Sequence, residues 1–181
     1  MTAFDSRNYF SLNVEPNCGS LLRFPTPPSL SMEVTGTVSR ILERKGSSSV
    51  WWIAPEAMVY DAIKLMAQKN VGALVVLENN RLVGIISERD YTRKVILQGK
   101  SSKETPVRDI MTQELITAEP NDNIGACMRL MTERRVRHLP VLEGSKLTGV
   151  VSIGDLLKWL ISEQDAAIDH LERYITGSYP A

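Results

Sequence analysis

Cysteine is nearly missing from this chain of 181 residues, which has only Cys18 and Cys127, and aromatic residues make up just 6% of it. Two thiols do not amount to the disulfide framework that staples small secreted domains. Cys18 falls in an irregular stretch, whereas Cys127 stands beside Met128 and near Leu130 among helical residues. Cys127 therefore reads as a small core residue, and the compartment is expected to be reducing, the cytoplasm by default. Long apolar runs are missing too. The longest, Val71 to Leu77, includes Gly72 and Ala73 and falls far short of the roughly 20 residues a membrane-spanning helix needs, so no membrane role is expected. Nor is there an excess of either charge, since 21 Lys and Arg balance 21 Asp and Glu. Without a net field to draw it to nucleic acid, the chain is expected to take a small-molecule or protein partner.

Catalytic signatures are absent as well. The sequence has no GxxxxGK[ST] phosphate loop, no HExxH or CxxC metal spacing and no GxSxG elbow, and His170 stands on the last helix without an evident catalytic partner. An enzyme is not expected, nor a bound metal, nor an obligatory cofactor. Residues 1–33 contain Pro16, Pro25, Pro27 and Pro28 and show no apolar periodicity, which marks a disordered lead or tag outside the fold. They show no positive stretch followed by an apolar one, and Asp5 and Glu15 argue against a transit peptide.

What the chain does have is a repeat. A shift of 65 residues superposes Pro55 on Pro120, Leu65-Met66 on Leu130-Met131, Val76-Leu77-Glu78 on Val141-Leu142-Glu143, Gly84 on Gly149, Ser87 on Ser152 and Asp90 on Asp155. With Val71, Leu74 and Leu82 on their partners, that makes twelve identities in an ungapped window of 36 residues, a tandem duplication. Each copy carries an amphipathic helix, with Val59, Ala62, Ile63 and Met66 in the first and Ile124, Cys127, Met128 and Met131 in the second. Two short β-rich runs joined by the turns "ENN" or "EGS" then form a hairpin, and a second helix follows each aspartate. The short segments "VWWIA" and "LITAE" supply a first strand to each copy. Upstream, "TVSRIL" echoes "PVRDIM" at a shift of 69, so a lead-in helix precedes each unit. The expected layout is a first unit with its lead-in over 34–99, a linker over 100–105, a second unit over 106–162 and a C-terminal helical extension over 163–181, stopped by Gly177.

These residues resemble the cystathionine-β-synthase (CBS) domain family, as a tandem pair or Bateman module. The resemblance covers about Thr37 to Ile161 and rests on the βαββα order, "VRHLPV" followed by "LTGVVSIGD", the parallel "VGALVVL…LVGIISERD", and "VRDIMT" before the second copy. It implies an α/β (α+β) fold of two βαββα units related by pseudo-twofold symmetry, with clefts for adenosine-containing ligands. AMP stands first among these, with ADP, ATP, NAD(H) and S-adenosylmethionine as further candidates. It also implies a regulatory sensor, commonly a homodimer, that signals to a partner by a population shift.

The motif residues admit two uses each. Ser87-x-x-Asp90 and Ser152-x-x-Asp155 have the form of capping boxes, while the resemblance implies that each Asp accepts ribose hydroxyls with its Ser nearby. Arg137, His138 and Arg89 are either solvated cations or, by resemblance, phosphate ligands, and adjacent strand residues 137 and 138 point to opposite faces. Ile53 and Thr117 are the implied adenine wall; Trp51-Trp52, opposite Ile116-Thr117, either packs or stacks on a base. Gly72 and Ala73 stand where the second copy has Arg137 and His138, so the two clefts are expected to differ. The apolar stripe of the last helix, Leu157, Leu160, Ile161, Ile168, Leu171 and Ile175, exceeds what one small unit requires and points to a partner helix or sister subunit. The alternative to a sensor is a ligand-free structural or interaction dimer.

Overall fold

The structure of the protein, a computed structural model, describes residues 36–46 and 50–176. The expected lead over 1–33, Cys18 and the stop at Gly177 lie outside the described residues. In chain order the elements are α1 (Val38–Arg44), β1 (Trp52–Ile53), α2 (Val59–Lys69), β2 (Ala73–Glu78), β3 (Arg81–Ser87) and α3 (Glu88–Lys94). Two 3-10 turns, Ile96–Gln98 and Val107–Asp109, lead to α4 (Ile124–Glu133), β4 (His138–Glu143), β5 (Lys146–Ser152) and α5 (Ile153–Thr176).

The duplication is visible in the register. β2 pairs antiparallel with β3, Ala73 opposite Ser87, and β4 pairs with β5, His138 opposite Ser152, each hairpin with one irregularity at the matching place. The helices bury the faces that their periodicity marks: Val59, Ala62 and Met66 on α2, and Ile124, Cys127 and Met131 on α4. Cys127 is a free, buried thiol, held above its ordinary pKa by burial first and by Asp122 second.

The first strand is where the copies part. β1 runs parallel to β2, with Trp52 beside Val75, and the Val75 amide donates to the Trp51 carbonyl. In the second copy Val75 is replaced by Pro140, which has no N–H to give. The expected strand in "LITAE" therefore shrinks to one parallel bridge, Ala118 with Val141, leaving a three-stranded and a two-stranded sheet.

The lead-in segments cross over. Val38 and Ile41 of α1 are buried with Ile124, Leu139, Val151 and Trp159 of the second repeat, whereas Val107 and Ile110 are buried with Val59, Leu74 and Ile86 of the first. Hydrogen bonds duplicate the exchange. Val38 donates to Asp122 and Ser39 to Pro120, as Val107 donates to Ala57 and Arg108 to Pro55. The amide-rich starts of α2 and α4 are met by the Thr105 and Gly36 carbonyls, which accept from Val59 and Ile124 at 3.0 and 3.1 Å and remove one orphan donor from each helix. The second lead-in is a 3-10 turn followed by extended chain rather than the expected α-helix, and its Thr112 pairs with Ile85 at the edge of β3.

Each crossing segment also needs a glycine. A Cβ on Gly149 would lie 2.6 Å from Leu42 Cδ2, and one on Gly84 would lie 2.8 Å from Met111 Sδ, so a side chain at either strand position would force the crossing segment's side chain to move.

Candidate functional site

The exchange brings α1 and both repeats around one cavity of about 550 Å³. The first repeat contributes Trp51 and the Lys69–Ala73 turn between α2 and β2; the second contributes His138, Thr148–Val150, Ser152, Gly154, Asp155 and Lys158. From α1 and its end come Leu42, Lys45 and Gly46. At Asn70 the chain takes a left-handed turn (φ 52°), which ends α2 and delivers Gly72 to the cavity; a Cβ there would lie 3.6 Å from His138 Cε1. A smaller groove of about 400 Å³ adjoins it, sharing Lys45, Asp155 and Lys158, and in that groove the Arg44 guanidinium lies 5.2 Å over the Trp159 ring and donates to Ser162 Oγ at 2.7 Å.

Asp155 is the anionic group on this wall. Its Oδ2 accepts from Ser152 N at 2.8 Å, Ser152 Oγ at 2.7 Å and Lys45 Nζ at 2.9 Å, and the Asp155 amide donates back to Ser152 Oγ at 3.2 Å. The capping box is thus formed, and it turns the carboxylate so that these three bonds fall on one oxygen; Oδ1 has no partner among the described residues. Burial acts to raise the Asp155 pKa, but the bonds from Ser152 and Lys45 outweigh it and hold the carboxyl below its ordinary range.

Asp90 has the same box and a different outcome. Its Oδ2 accepts from Ser87 N at 3.0 Å and Ser87 Oγ at 2.6 Å, while Oδ1 pairs with Lys94 at 2.9 Å, one turn on in the same helix. Lys94 also donates to the Ile110 carbonyl at 2.6 Å, which ties Asp90 to the crossing segment of the second lead-in. Both oxygens of Asp90 are therefore taken internally.

The other expected site residues separate. His138 reaches the cavity beside Ser152 and is held below its ordinary pKa by burial first and by Arg137 second, partly opposed by Asp155, with a lesser lowering by Lys45. Arg137 and Thr117 do not line this cavity. The 65-residue relation matches Arg137 to Gly72, so its counterpart, not Arg137 itself, lines the cavity that holds Asp155. Arg89 donates to the Arg135 carbonyl at 2.8 Å, joining the start of α3 to the α4–β4 turn. The Ile53 side chain is buried in the first repeat's core, and its backbone pairs in parallel with Val76. Of the two tryptophans, Trp52 is exposed, and Trp51 lines the cavity with Lys69 Nζ 4.1 Å over its ring.

Lys45, Lys69, Asn70 and Lys158 were not legible as site residues. For Lys45 a signal existed: at the shift of 69 it stands over Glu114, a change of sign at a repeated position.

Two α+β repeats that exchange lead-ins and wall a common cavity define a duplicated domain pair. The family model described as CBS domain matches residues 38–96 and 107–162, and the chain belongs to the CBS domain family as a tandem pair. It is similar to the mitochondrial CBS domain-containing protein CBSX3 of Arabidopsis thaliana, 46% identical over 151 residues that span 79% of this chain and 73% of that one. Among solved structures it resembles a protein with CBS domains from Burkholderia ambifaria (TM-score 0.70, 50% identity, 71% of this chain and 96% of that one). The fold also matches the CBS domain pair of protein MJ0100, solved with 5-methylthioadenosine and S-adenosyl-L-methionine (TM-score 0.63, 22% identity, 71% of this chain and 98% of that one). No helix among the described residues is long and apolar enough to cross a membrane.

Proposed function

We propose that the chain is a regulatory module that binds an adenosine-containing ligand in the cavity at Asp155, without turnover. The observation that carries this reading is the Asp155 carboxylate itself, ionised, on the cavity wall, with one oxygen unpartnered among the described residues. A ribose diol offers two donors to such an acceptor-only group. Ser152 orients the carboxylate, His138 stands within reach of a phosphate, and the Trp51 wall gives a base an apolar surface. In the first repeat, Asp90 and Ser87 act chiefly as a structural tie, and Arg89 is engaged with the Arg135 carbonyl. Adenosine ligands span AMP, ADP, ATP, NAD(H) and S-adenosylmethionine, and the adenosine ligands in the MJ0100 structure support the class rather than a member of it.

The signal would pass to a second copy and to a regulated partner through α5, where Leu157, Ile161, Ile168 and Ile175 are exposed and the isoleucines recur every seventh residue. The free thiol of Cys127 asks only for a reducing interior, which an organelle such as the one in the Arabidopsis protein's name supplies as well as the cytoplasm does.

Calorimetry on the full chain tests the site. Asp155→Asn is expected to weaken the adenosine ligand about tenfold or more, since hydrogen bonds to a charged acceptor are the strong ones, while Asp90→Asn changes stability more than affinity. Should AMP, ADP, ATP, NADH and S-adenosylmethionine all leave the melting temperature unmoved at millimolar concentration, the ligand-free interaction dimer is the correct account.

A further inference from the structure

One cation in the cavity is out of step with the repeat. In the first copy the edge carbonyl of Ile85 accepts from a backbone amide, Thr112 N at 2.8 Å. Its counterpart in the second copy, the carbonyl of Val150, instead accepts from the Lys45 side chain at 3.1 Å, and the same ammonium lies 2.9 Å from Asp155 Oδ2. The reason is local. α1 stays helical to Arg44 where the second lead-in becomes extended, so among the described residues no lead-in amide donates to the Val150 carbonyl and a long side chain spans the gap. Asp90, by contrast, draws its lysine from its own helix. Lys45 is therefore a counter-ion brought to the site from another part of the chain.

That placement has a chemical consequence for any ribose that arrives. Oδ2 already accepts three donors, so a diol that uses both carboxylate oxygens must dislodge Lys45, the one donor there that is not part of the capping box. An unphosphorylated nucleoside leaves the displaced ammonium without an anion. A phosphorylated one supplies an anion within the same cavity, and Lys45 exchanges one charge-assisted bond for another. Lys158, which also lines the cavity, adds to the positive field.

We propose that Lys45 is a displaceable counter-ion at the mouth of the site that makes the Asp155 cavity select phosphorylated over unphosphorylated adenosine compounds. This rests on the adenosine-binding reading of the cavity. Lys45 is a specificity-determining residue in this account: it opposes the ribose and rewards the phosphate.

Titration calorimetry with AMP and with adenosine, on the wild-type chain, Lys45→Met and Lys45→Arg, tests it. In the wild type AMP is expected to bind at least tenfold more tightly than adenosine. In Lys45→Met adenosine should bind more tightly than in the wild type and AMP less tightly, so that the preference shrinks by about tenfold; Lys45→Arg, which keeps the charge, should retain it. A wild-type preference that survives unchanged in Lys45→Met, or adenosine binding weakened in parallel with AMP, overturns the role of Lys45 while leaving the adenosine site standing. No binding of either probe to the wild type overturns both. Melting curves identify a variant that fails to fold, in which case Lys45→Gln replaces Lys45→Met with the same expected outcome.

Discussion

Replacing Gly149 by alanine puts a methyl carbon 2.6 Å from Leu42 Cδ2 and 3.0 Å from Cδ1. Carbon atoms rest about 3.5–4.0 Å apart, so Leu42 must retreat by roughly 1 Å. Retreat is resisted, because Leu42 belongs to a seven-residue helix whose Val38 and Ile41 are locked in the second repeat's core. Overpacking of this kind costs about 1–3 kcal/mol. Against that, Gly149 does not take a left-handed backbone, and alanine lowers the unfolded chain's entropy, a gain of about 0.4–1 kcal/mol. The net expectation is a loss of about 1–2 kcal/mol, which in a chain of this size lowers Tm by about 2–8 °C. Urea denaturation followed by circular dichroism measures it, and a double-mutant cycle with Leu42→Ala isolates the contact. With the Leu42 methyls gone, Gly149→Ala should be neutral or stabilising, a coupling of about 1 kcal/mol or more. An equal loss in both backgrounds would refute the seating of α1 on β5, and with it the route by which Lys45 reaches the cavity.

Two further expectations follow from the site and the sheet. His138 is held neutral below its ordinary pKa of about 6.5. As pH falls from that value toward the lower folded one, the unfolded chain binds protons first and the fold loses stability. A phosphate beside the ring raises its pKa, so nucleotide affinity should rise as pH falls through the same window. Proton-detected titration of the His138 ring checks this, and a midpoint above the ordinary value refutes it. Pro140→Val restores the donor that Val75 supplies in the first copy, so the introduced amide should be protected from hydrogen exchange by the Ile116 carbonyl; rapid exchange there would show that the proline is not what interrupts the strand.

Much of this fold is written in the sequence. The shift of 65 residues fixes the repeat, the hairpins and both capping boxes, because those features depend on neighbours a few residues away. The divergence of the first strands was legible in principle, since Pro140 stands where the first copy needs a donor. The crossing of the lead-ins was not, because a repeat shows which positions are equivalent and says nothing of which copy each segment packs on. Lys45 was hidden for the same reason: at the end of a short helix it looks like a solvated cation complementing the helix dipole, and only the crossing carries it to Asp155. The opposite faces of adjacent strand residues separate Arg137 from His138, but which repeat supplies each wall of the cavity at Asp155, His138 from one and Gly72 from the other, depends on the packing of the two copies.

The exchanged lead-ins also determine how force and information enter the molecule. Any load applied to the chain just ahead of Gly36 passes through Val38 and Ile41 into the second repeat, skipping the repeat that follows next in sequence. The same helix ends at Lys45, which touches Asp155 on the cavity wall. A cut in the 100–105 linker would not free two domains, since each half would still hold the other's segment in its core. The smallest piece able to close its own cores is the pair, and a chain with a single repeat would have to borrow a lead-in from a second copy of itself.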